Sequence, residues 1–190
     1  MRRLVEGLLY LSKIESGQIP MKSLPVDLKA LIAACVRRIE AQAMQVGIRV
    51  QVRMDRLPLI LGDADKLEQV FMNLLDNALK YSPAGGVVTV MGGVATDVSI
   101  ASPKREGRPP RVRISIHNTG SLIAEHDVER IFERFYRLDK SRARSVEGSG
   151  LGLAIVKEIV QAHGGSVEAR SSAESGTEFL VLLPLESLVA

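Results

Sequence analysis

The chain has 190 residues, of which 46% are hydrophobic and 25% charged, a composition that suits a folded globular protein with a sizeable core. Its formal charge of +3 is small, and basic residues alternate with acidic ones, which argues against nucleic acid as a partner and suits an anionic ligand. The single cysteine, Cys35, excludes a disulfide framework and favours a reducing compartment. The sequence has no signal-peptide pattern and no apolar run of the ~20 residues that span a bilayer, so no membrane contact is expected within it.

The first segment, residues 2–15, repeats its apolar residues at helical spacing and ends at Ser16 and Gly17. An isolated helix of this length is marginal in water, so its apolar face needs a partner helix, and the segment is interpreted as the end of something larger. Residues 19–25 predict a short linker, and Asp27 predicts the N-cap of the next helix. Asp63 predicts the N-cap of the helix after that one. We therefore divide the chain into a helical remnant with its linker, residues 1–24, and one domain, residues 25–190.

The domain alternates helix and strand patterns. Amphipathic helices are predicted over residues 28–46, 67–83 and 150–163, and strands over residues 48–54, 59–61, 87–90, 111–117, 166–170 and 177–183. Residues 127–137 predict a short helix and turn, and residues 96–110, rich in Ser, Pro and Gly, predict a flexible hairpin tip. This order favours an α+β fold, a two-layer α/β sandwich in which helices cover one face of a mixed, largely antiparallel sheet.

The second of these helices has two chemically different faces. Seven apolar residues at three-and-four spacing predict a stripe that faces the core: Leu67, Val70, Phe71, Leu74, Leu75, Ala78 and Leu79. The opposite side carries Lys66, Gln69, Asn73, Asn77 and Lys80, with Tyr81 beside them. Asparagine is a poor helix former, so two of them one turn apart suggest a functional task.

Glycines form three clusters, at Gly120, at residues 148–152 and at Gly176. The sequence GSGLG before an apolar helix allows backbone amides to approach an anion, which the helix N-terminus also favours. Alone, this signal is weak, because a tight turn with close helix packing explains such a loop equally well.

Together, these segments resemble a known family. The runs NLLDNALKYSP, NTGSLI, IFERFYRLDKSR, GSGLGLAIVKEIVQAHGG and GTEF resemble, in order, the N, G1, F, G2 and G3 boxes of the sensor histidine kinase catalytic domain. The resemblance covers about Val26 to Pro184 and implies the Bergerat ATP-binding fold, with ATP and Mg²⁺ as cofactors. The N-terminal LVEGLLYLSKIESGQ resembles the end of the second helix of the kinase dimerisation and phosphoacceptor domain.

The resemblance also implies roles for individual residues. Asn77 would bind Mg²⁺ through its side-chain oxygen, and Asn73 would support that site. Lys80 would contact the phosphates, Tyr81 would border the adenine, and Arg137 is the candidate for a γ-phosphate contact. The expected catalytic residues are therefore Asn73, Lys80 and Arg137. Further contacts to the nucleotide are expected from Asn118, Gly120, Ile123, Gly148, Gly150, Leu151, Gly152, Leu153 and Thr177.

Residues 132–149 would form a mobile lid over ATP. Its aromatic residues Phe132, Phe135 and Tyr136 would anchor it to the body of the domain, although an ordinary hydrophobic cluster explains them equally well.

The sequence differs from related proteins at two places that bear on the reaction. Related gyrase and mismatch-repair ATPases carry, four residues before the metal-binding asparagine, a glutamate that activates water; here that position is Asn73, which favours transfer to a histidine over hydrolysis. The G1 box usually reads Asp-x-Gly-x-Gly, and here Asn118 and Leu122 replace the acid and the second glycine. An amide oxygen can still accept a hydrogen bond from adenine. A degenerate nucleotide-sensing or partner-binding module is therefore the alternative function, and a stand-alone ATPase is the third.

The implied partners are the phosphoacceptor domain of the same protein and a cognate response regulator, within a full-length homodimer. None of His117, His126 and His163 is followed by the H-box pattern, so the phosphoacceptor histidine is expected outside this chain. The resemblance implies a cytoplasmic domain of a protein anchored in the bacterial inner membrane.

Overall fold

The computed structural model describes residues 7, 9, 13, 20–95, 110–120, 122–138 and 149–185. Of the first predicted helix, Gly7, Leu9 and Lys13 are described, and all three are helical. The predicted hairpin tip, apart from Pro110, lies outside the described residues, as do residues 139–148 of the predicted lid.

The described part of the domain contains three α-helices: α1 (Leu28–Gln45), α2 (Ala64–Tyr81) and α3 (Gly152–Ala162). Asp27 caps α1, its side chain accepting a hydrogen bond from the Ala30 amide, and Asp63 caps α2 by accepting from the amides of Asp65 and Lys66. Both caps were predicted from sequence. None of the described helices combines the length and the apolar character that a membrane crossing requires.

The strands are β1 (Leu24–Val26), β2 (Arg49–Met54), β3 (Ile60–Gly62), β4 (Val87–Ala95), β5 (Arg111–Asn118), β6 (Ser166–Ser172) and β7 (Gly176–Pro184). Five of them form a sheet in the order β2-β4-β5-β7-β6, in which β2 and β4 are parallel and every other pair is antiparallel. The predicted α+β sandwich with a largely antiparallel sheet is confirmed.

The predicted linker contains structure that the sequence did not indicate. Leu24–Val26 pairs antiparallel with Ile60–Gly62 as a separate two-stranded sheet, and Val26 is buried. Residues 24–26 are thus fixed beside the start of α2. The domain boundary between residues 24 and 25 stays a prediction.

The core lies between the helices and one face of the five-stranded sheet. All seven residues of the predicted stripe on α2 are buried, and they belong to one hydrophobic cluster with Val88 and Val90 of β4 and Ile114 and Ile116 of β5. Burial of the apolar stripe fixes the rotation of α2, so the amide-bearing face of that helix points away from the core.

Candidate functional site

A cavity of about 240 Å³ lies between α2, the start of α3 and the sheet. Among the predicted site residues, eleven line it: Asn73, Asn77, Lys80, Tyr81, Asn118, Ile123, Arg137, Gly150, Gly152, Leu153 and Thr177. Six further lining residues are absent from the predicted contacts: Asp76, Ile131, Tyr136, Leu138, Ser149 and Phe179. Of these, Tyr136, Leu138 and Ser149 belong to the predicted lid, so sequence reasoning missed Asp76, Ile131 and Phe179.

The wall formed by α2 carries the polar residues that the helical pattern placed on one face. Asn73, Asn77 and Lys80 all reach the cavity, because steps of three and four residues return to the same side of a helix. Asp76 lies within the same arc, three residues after Asn73, and that spacing was the signal available in the sequence. Burial raises the pKa of the Asp76 carboxyl, and the charge of Arg38 opposes that shift.

Asn73 joins α2 to α3. Its side-chain nitrogen donates a hydrogen bond to the Gly152 carbonyl at 3.4 Å. A carboxylate has no proton to donate here at neutral pH, so the amide is chemically suited to this contact in a way that glutamate is not.

Two cations share the cavity. Burial lowers the pKa of Lys80, and repulsion from the Arg137 guanidinium lowers it further. The Lys80 Nζ also lies 5.2 Å from the centre of the Tyr81 ring. Two like charges held close together at a cavity wall attract a polyanion, and bound anion would relieve the repulsion between them.

The sheet contributes neutral polar groups. Asn118, the last residue of β5, is 2% exposed and pairs in register with Thr177 of β7, which is also buried. The Asn118 side-chain nitrogen donates to the Thr119 carbonyl at 3.4 Å, and the Thr177 hydroxyl lies 2.8 Å from the Ser171 hydroxyl. Ser171 also accepts the Ile123 amide at 3.0 Å, so it fixes another lining residue, and no sequence signal pointed to it.

The glycines allow the chain to approach itself closely. Gly150 has φ +71°, and a Cβ on it would lie 2.9 Å from the Phe135 backbone, whose amide donates to the Gly150 carbonyl at 2.9 Å. Gly176 has φ +86°, and a Cβ on it would lie 2.2 Å from the Asn118 carbonyl oxygen. These two glycines therefore shape the cavity through backbone contacts.

Three predicted contact residues are not among the lining residues. Gly120, with φ +135°, lies against the Tyr81 carbonyl and Pro83, where a Cβ would come within 2.7 Å of each. Leu151 is 2% exposed and belongs to the core. Gly148 lies outside the described residues. Gly120 and Leu151 thus support the cavity from behind.

The aromatic residues of the predicted lid separate into different roles. Phe132 is buried and packs edge-on against Phe179 at 6.4 Å between ring centres. Tyr136 lines the cavity and its hydroxyl donates to Asp127. The expectation that Phe135 also anchors the segment is wrong, because this residue is 47% exposed. Its φ of +63° is uncommon for a bulky residue. The predicted short helix of this region is instead two 3-10 turns, Glu125–Asp127 and Arg130–Phe132.

The oxygen donors on α2 fit a Mg²⁺ ion that is coordinated partly by the protein and partly by a bound molecule. Asn77, Asn73 and Asp76 offer oxygen atoms, which Mg²⁺ prefers, and this cation usually takes one or two protein ligands together with phosphates and water. Within the described residues there is no group of three His, Cys, Asp or Glu side chains that could hold a metal without such a ligand.

Comparisons with known proteins agree with this geometry. The profile of the histidine kinase-, DNA gyrase B- and HSP90-like ATPases matches residues 62–187. The structure of a mycobacterial sensor histidine kinase, MprB, is 30% identical, with a TM-score of 0.67 over 85% of this chain and 97% of that one. The chain belongs to this ATPase family, in its sensor histidine kinase branch. The family resemblance read from the five sequence boxes is confirmed.

Further relatives of this histidine kinase domain are longer proteins. The sensor histidine kinase WalK of Bacillus subtilis is 38% identical over 184 residues, which are 97% of this chain and 28% of WalK. Full-length ShkA, crystallised with AMPPNP, superposes with a TM-score of 0.80 at 30% identity over 99% of this chain and 36% of that one. The chain thus spans about a third of the length of these two kinases.

Proposed function

We propose that this domain binds Mg-ATP in the cavity and positions its γ-phosphate for transfer to a histidine of a phosphoacceptor domain. The observation that carries the proposal is the pairing of two cations, Lys80 and Arg137, with an oxygen-bearing helix face around one cavity. The ATP-analogue complex of the similar ShkA supports the nucleotide.

In this proposal, Lys80 and Arg137 bind the phosphates and neutralise the charge that develops as the γ-phosphoryl group leaves. Phosphoryl transfer depends mainly on such positioning and electrostatic stabilisation. Tyr81 borders the base from the end of α2, and Asn118 and Thr177 contact its polar edge from the sheet. Ile123 and Phe179, which are buried and line the same cavity, would exclude water from the base.

Asn77 would hold Mg²⁺ through its side-chain oxygen, with Asn73 and Asp76 close enough along the helix face to hydrogen-bond to water around the ion. The metal supplies charge neutralisation across neighbouring phosphate oxygens when it is bound.

Asn73 favours transfer over hydrolysis. Its side-chain nitrogen is engaged with the Gly152 carbonyl at 3.4 Å, and an amide is not a base that can activate water. Among the described lining residues the only carboxylate is Asp76. Slow ATP turnover without an acceptor protein is therefore expected.

The remaining assignments follow from the family. Residues 1–24 would be the end of a dimerisation helix with its linker, and residues 25–190 the catalytic domain. The phosphoacceptor domain, a homodimeric assembly and an inner-membrane anchor would belong to a longer protein, and a cognate response regulator would be its separate partner.

Titration calorimetry tests the cavity assignment. The native chain is expected to bind ATP in the presence of Mg²⁺ and more weakly with EDTA, and Asn77→Ala is expected to lose most of the magnesium-dependent gain. Glu40→Gln, on an exposed face of α1, is the matched control. Equal Mg-ATP affinity in the native and Asn77→Ala chains would show that the metal assignment is wrong.

A second candidate is a nucleotide-sensing or partner-binding module without transfer, favoured by the exposed Leu122 and the amide at Asn118. It predicts nucleotide binding without phosphorylation of any supplied phosphoacceptor domain.

A further inference from the structure

The walls of the cavity differ in charge. The cations Lys80 and Arg137 belong to α2 and to the segment that follows the second 3-10 turn, and the only carboxylate among the described lining residues, Asp76, is also on α2. The sheet wall contributes a carboxamide, Asn118, and a hydroxyl, Thr177. If the phosphates lie at the cations, as the proposed function requires, the base is read by neutral groups alone.

Both neutral groups can reverse their hydrogen-bonding polarity. A carboxamide presents an acceptor or, after a half-turn about χ2, a donor in nearly the same place. The Thr177 and Ser171 hydroxyls lie 2.8 Å apart, and either can donate to the other. Ser171 can also donate to the Gly176 carbonyl, at 3.3 Å. The Thr177 hydroxyl, which lines the cavity, can therefore turn its proton toward Ser171 or toward a ligand.

The two purine edges need opposite polarities. Adenine offers a donor at its 6-amino group and an acceptor at N1, whereas a 6-oxopurine offers an acceptor at O6 and a donor at N1. A carboxylate only accepts hydrogen bonds, so it complements only the 6-amino group of adenine. An amide beside a reversible hydroxyl pair can complement both edges.

We infer that Asn118 and the Thr177–Ser171 hydroxyl pair make this nucleotide site permissive at purine position 6, so that it takes 6-oxopurine as well as adenine nucleotides. The inference rests on the proposed function, because it places a triphosphate at Lys80 and Arg137.

The structure also fixes which purine is preferred. In the observed rotamer the Asn118 nitrogen donates to the Thr119 carbonyl, which leaves the side-chain oxygen for the ligand and favours adenine. At 3.4 Å this is a long hydrogen bond, so turning the amide forfeits about one weak neutral bond. A preference for ATP over ITP of about tenfold follows. A buried carboxylate facing O6 would leave two acceptors opposed, which raises the preference to a hundredfold or more.

The test measures the affinities of Mg-ATP, Mg-ITP and the Mg-triphosphate of purine riboside, which has neither amine nor oxygen at position 6. For the native chain we expect ATP to bind about tenfold more tightly than ITP, and ITP to bind at least as tightly as the purine riboside nucleotide. Asn118→Asp is expected to bind ITP at least a hundredfold more weakly than ATP, and to place ITP below the purine riboside nucleotide.

The native series alone is decisive if Asn118→Asp does not fold. If ATP binds tightly but ITP binds at least tenfold more weakly than the purine riboside nucleotide, the inference of a permissive site is overturned and the proposed function stays intact. No binding of ATP to the native chain would overturn both.

Discussion

His163 joins the two helices that flank the cavity, and replacing it should loosen that junction. It caps the C-terminus of α3, where its Nδ1 donates to the Ile159 carbonyl at 2.8 Å, while its Nε2 accepts the amide of Asp63 at 3.0 Å. An amide N–H can only donate, so Nε2 is unprotonated and the ring proton is on Nδ1. Gly62 leaves room for the ring, since a Cβ there would lie 3.1 Å from Cδ2.

The expected cost of His163→Leu follows from these contacts. Asp63 is 2% exposed, so its amide would be left buried without an acceptor, which costs about 1–3 kcal/mol. The Ile159 carbonyl lies in the last turn of a helix, where water can replace the lost donor. We expect the free energy of unfolding to fall by about 2 kcal/mol and Tm by about 4–8 °C for a chain of this size.

Urea unfolding of the native chain, His163→Leu and His163→Gln measures this loss of stability. His163→Gln places a side-chain oxygen where Nε2 lies, so it should recover at least half of the loss, whereas His163→Leu should not. Two results contradict the argument: equal losses in the Gln and Leu variants, or a Leu variant within about 0.5 kcal/mol of the native chain.

Three further outcomes are expected. Lys80→Met should weaken ATP binding by about 10–100-fold in calorimetry, because a charge-assisted phosphate contact is lost. Because the pKa of Lys80 is lowered, the ATP affinity of the native chain should fall as the pH rises toward the ordinary lysine range. The ATP affinity of Lys80→Arg should not change over the same pH range. Gly176→Ala should lower the free energy of unfolding by about 3 kcal/mol, because φ +86° and a 2.2 Å approach to the Asn118 carbonyl oxygen both oppose a Cβ. Gly85→Ala is the control, because at φ +80° with no atom within 4 Å it introduces the backbone strain without the steric clash. Burial raises the pKa of the Cys35 thiol to about 11, so the neutral thiol stabilises the fold below pH 9. That contribution to the free energy of unfolding should be lost between pH 9 and about 11. In unfolding measured as a function of pH, Cys35→Ala should show a smaller decline over this range.

Strong periodicity made the helices predictable. The seven apolar positions of α2 are the seven that are buried, because a helix with one apolar stripe has only one rotation that buries it. Asp27 and Asp63 were predictable as caps because capping is local chemistry between a side chain and amides two or three residues ahead.

Contacts between distant segments were not predictable in this way. The three-residue β1 exists only because β3 lies beside it, and the parallel pairing of β2 with β4 depends on where α2 places the following strand. Ser171 meets Thr177 and Ile123 only through the pairing of β6 with β7 and the path of the chain after β5. An aromatic pattern indicates neither the exposure of Phe135 nor its positive φ.

The most direct test of the proposed function is transfer of ³²P from γ-labelled Mg-ATP to the phosphoacceptor domain of the parent protein, supplied as a separate polypeptide. We expect label on that domain that is stable in alkali and labile in acid, as phosphohistidine is, and its loss with Asn77→Ala. Release of inorganic phosphate with no label on the acceptor, while ATP is shown to be bound, would contradict transfer and favour hydrolysis.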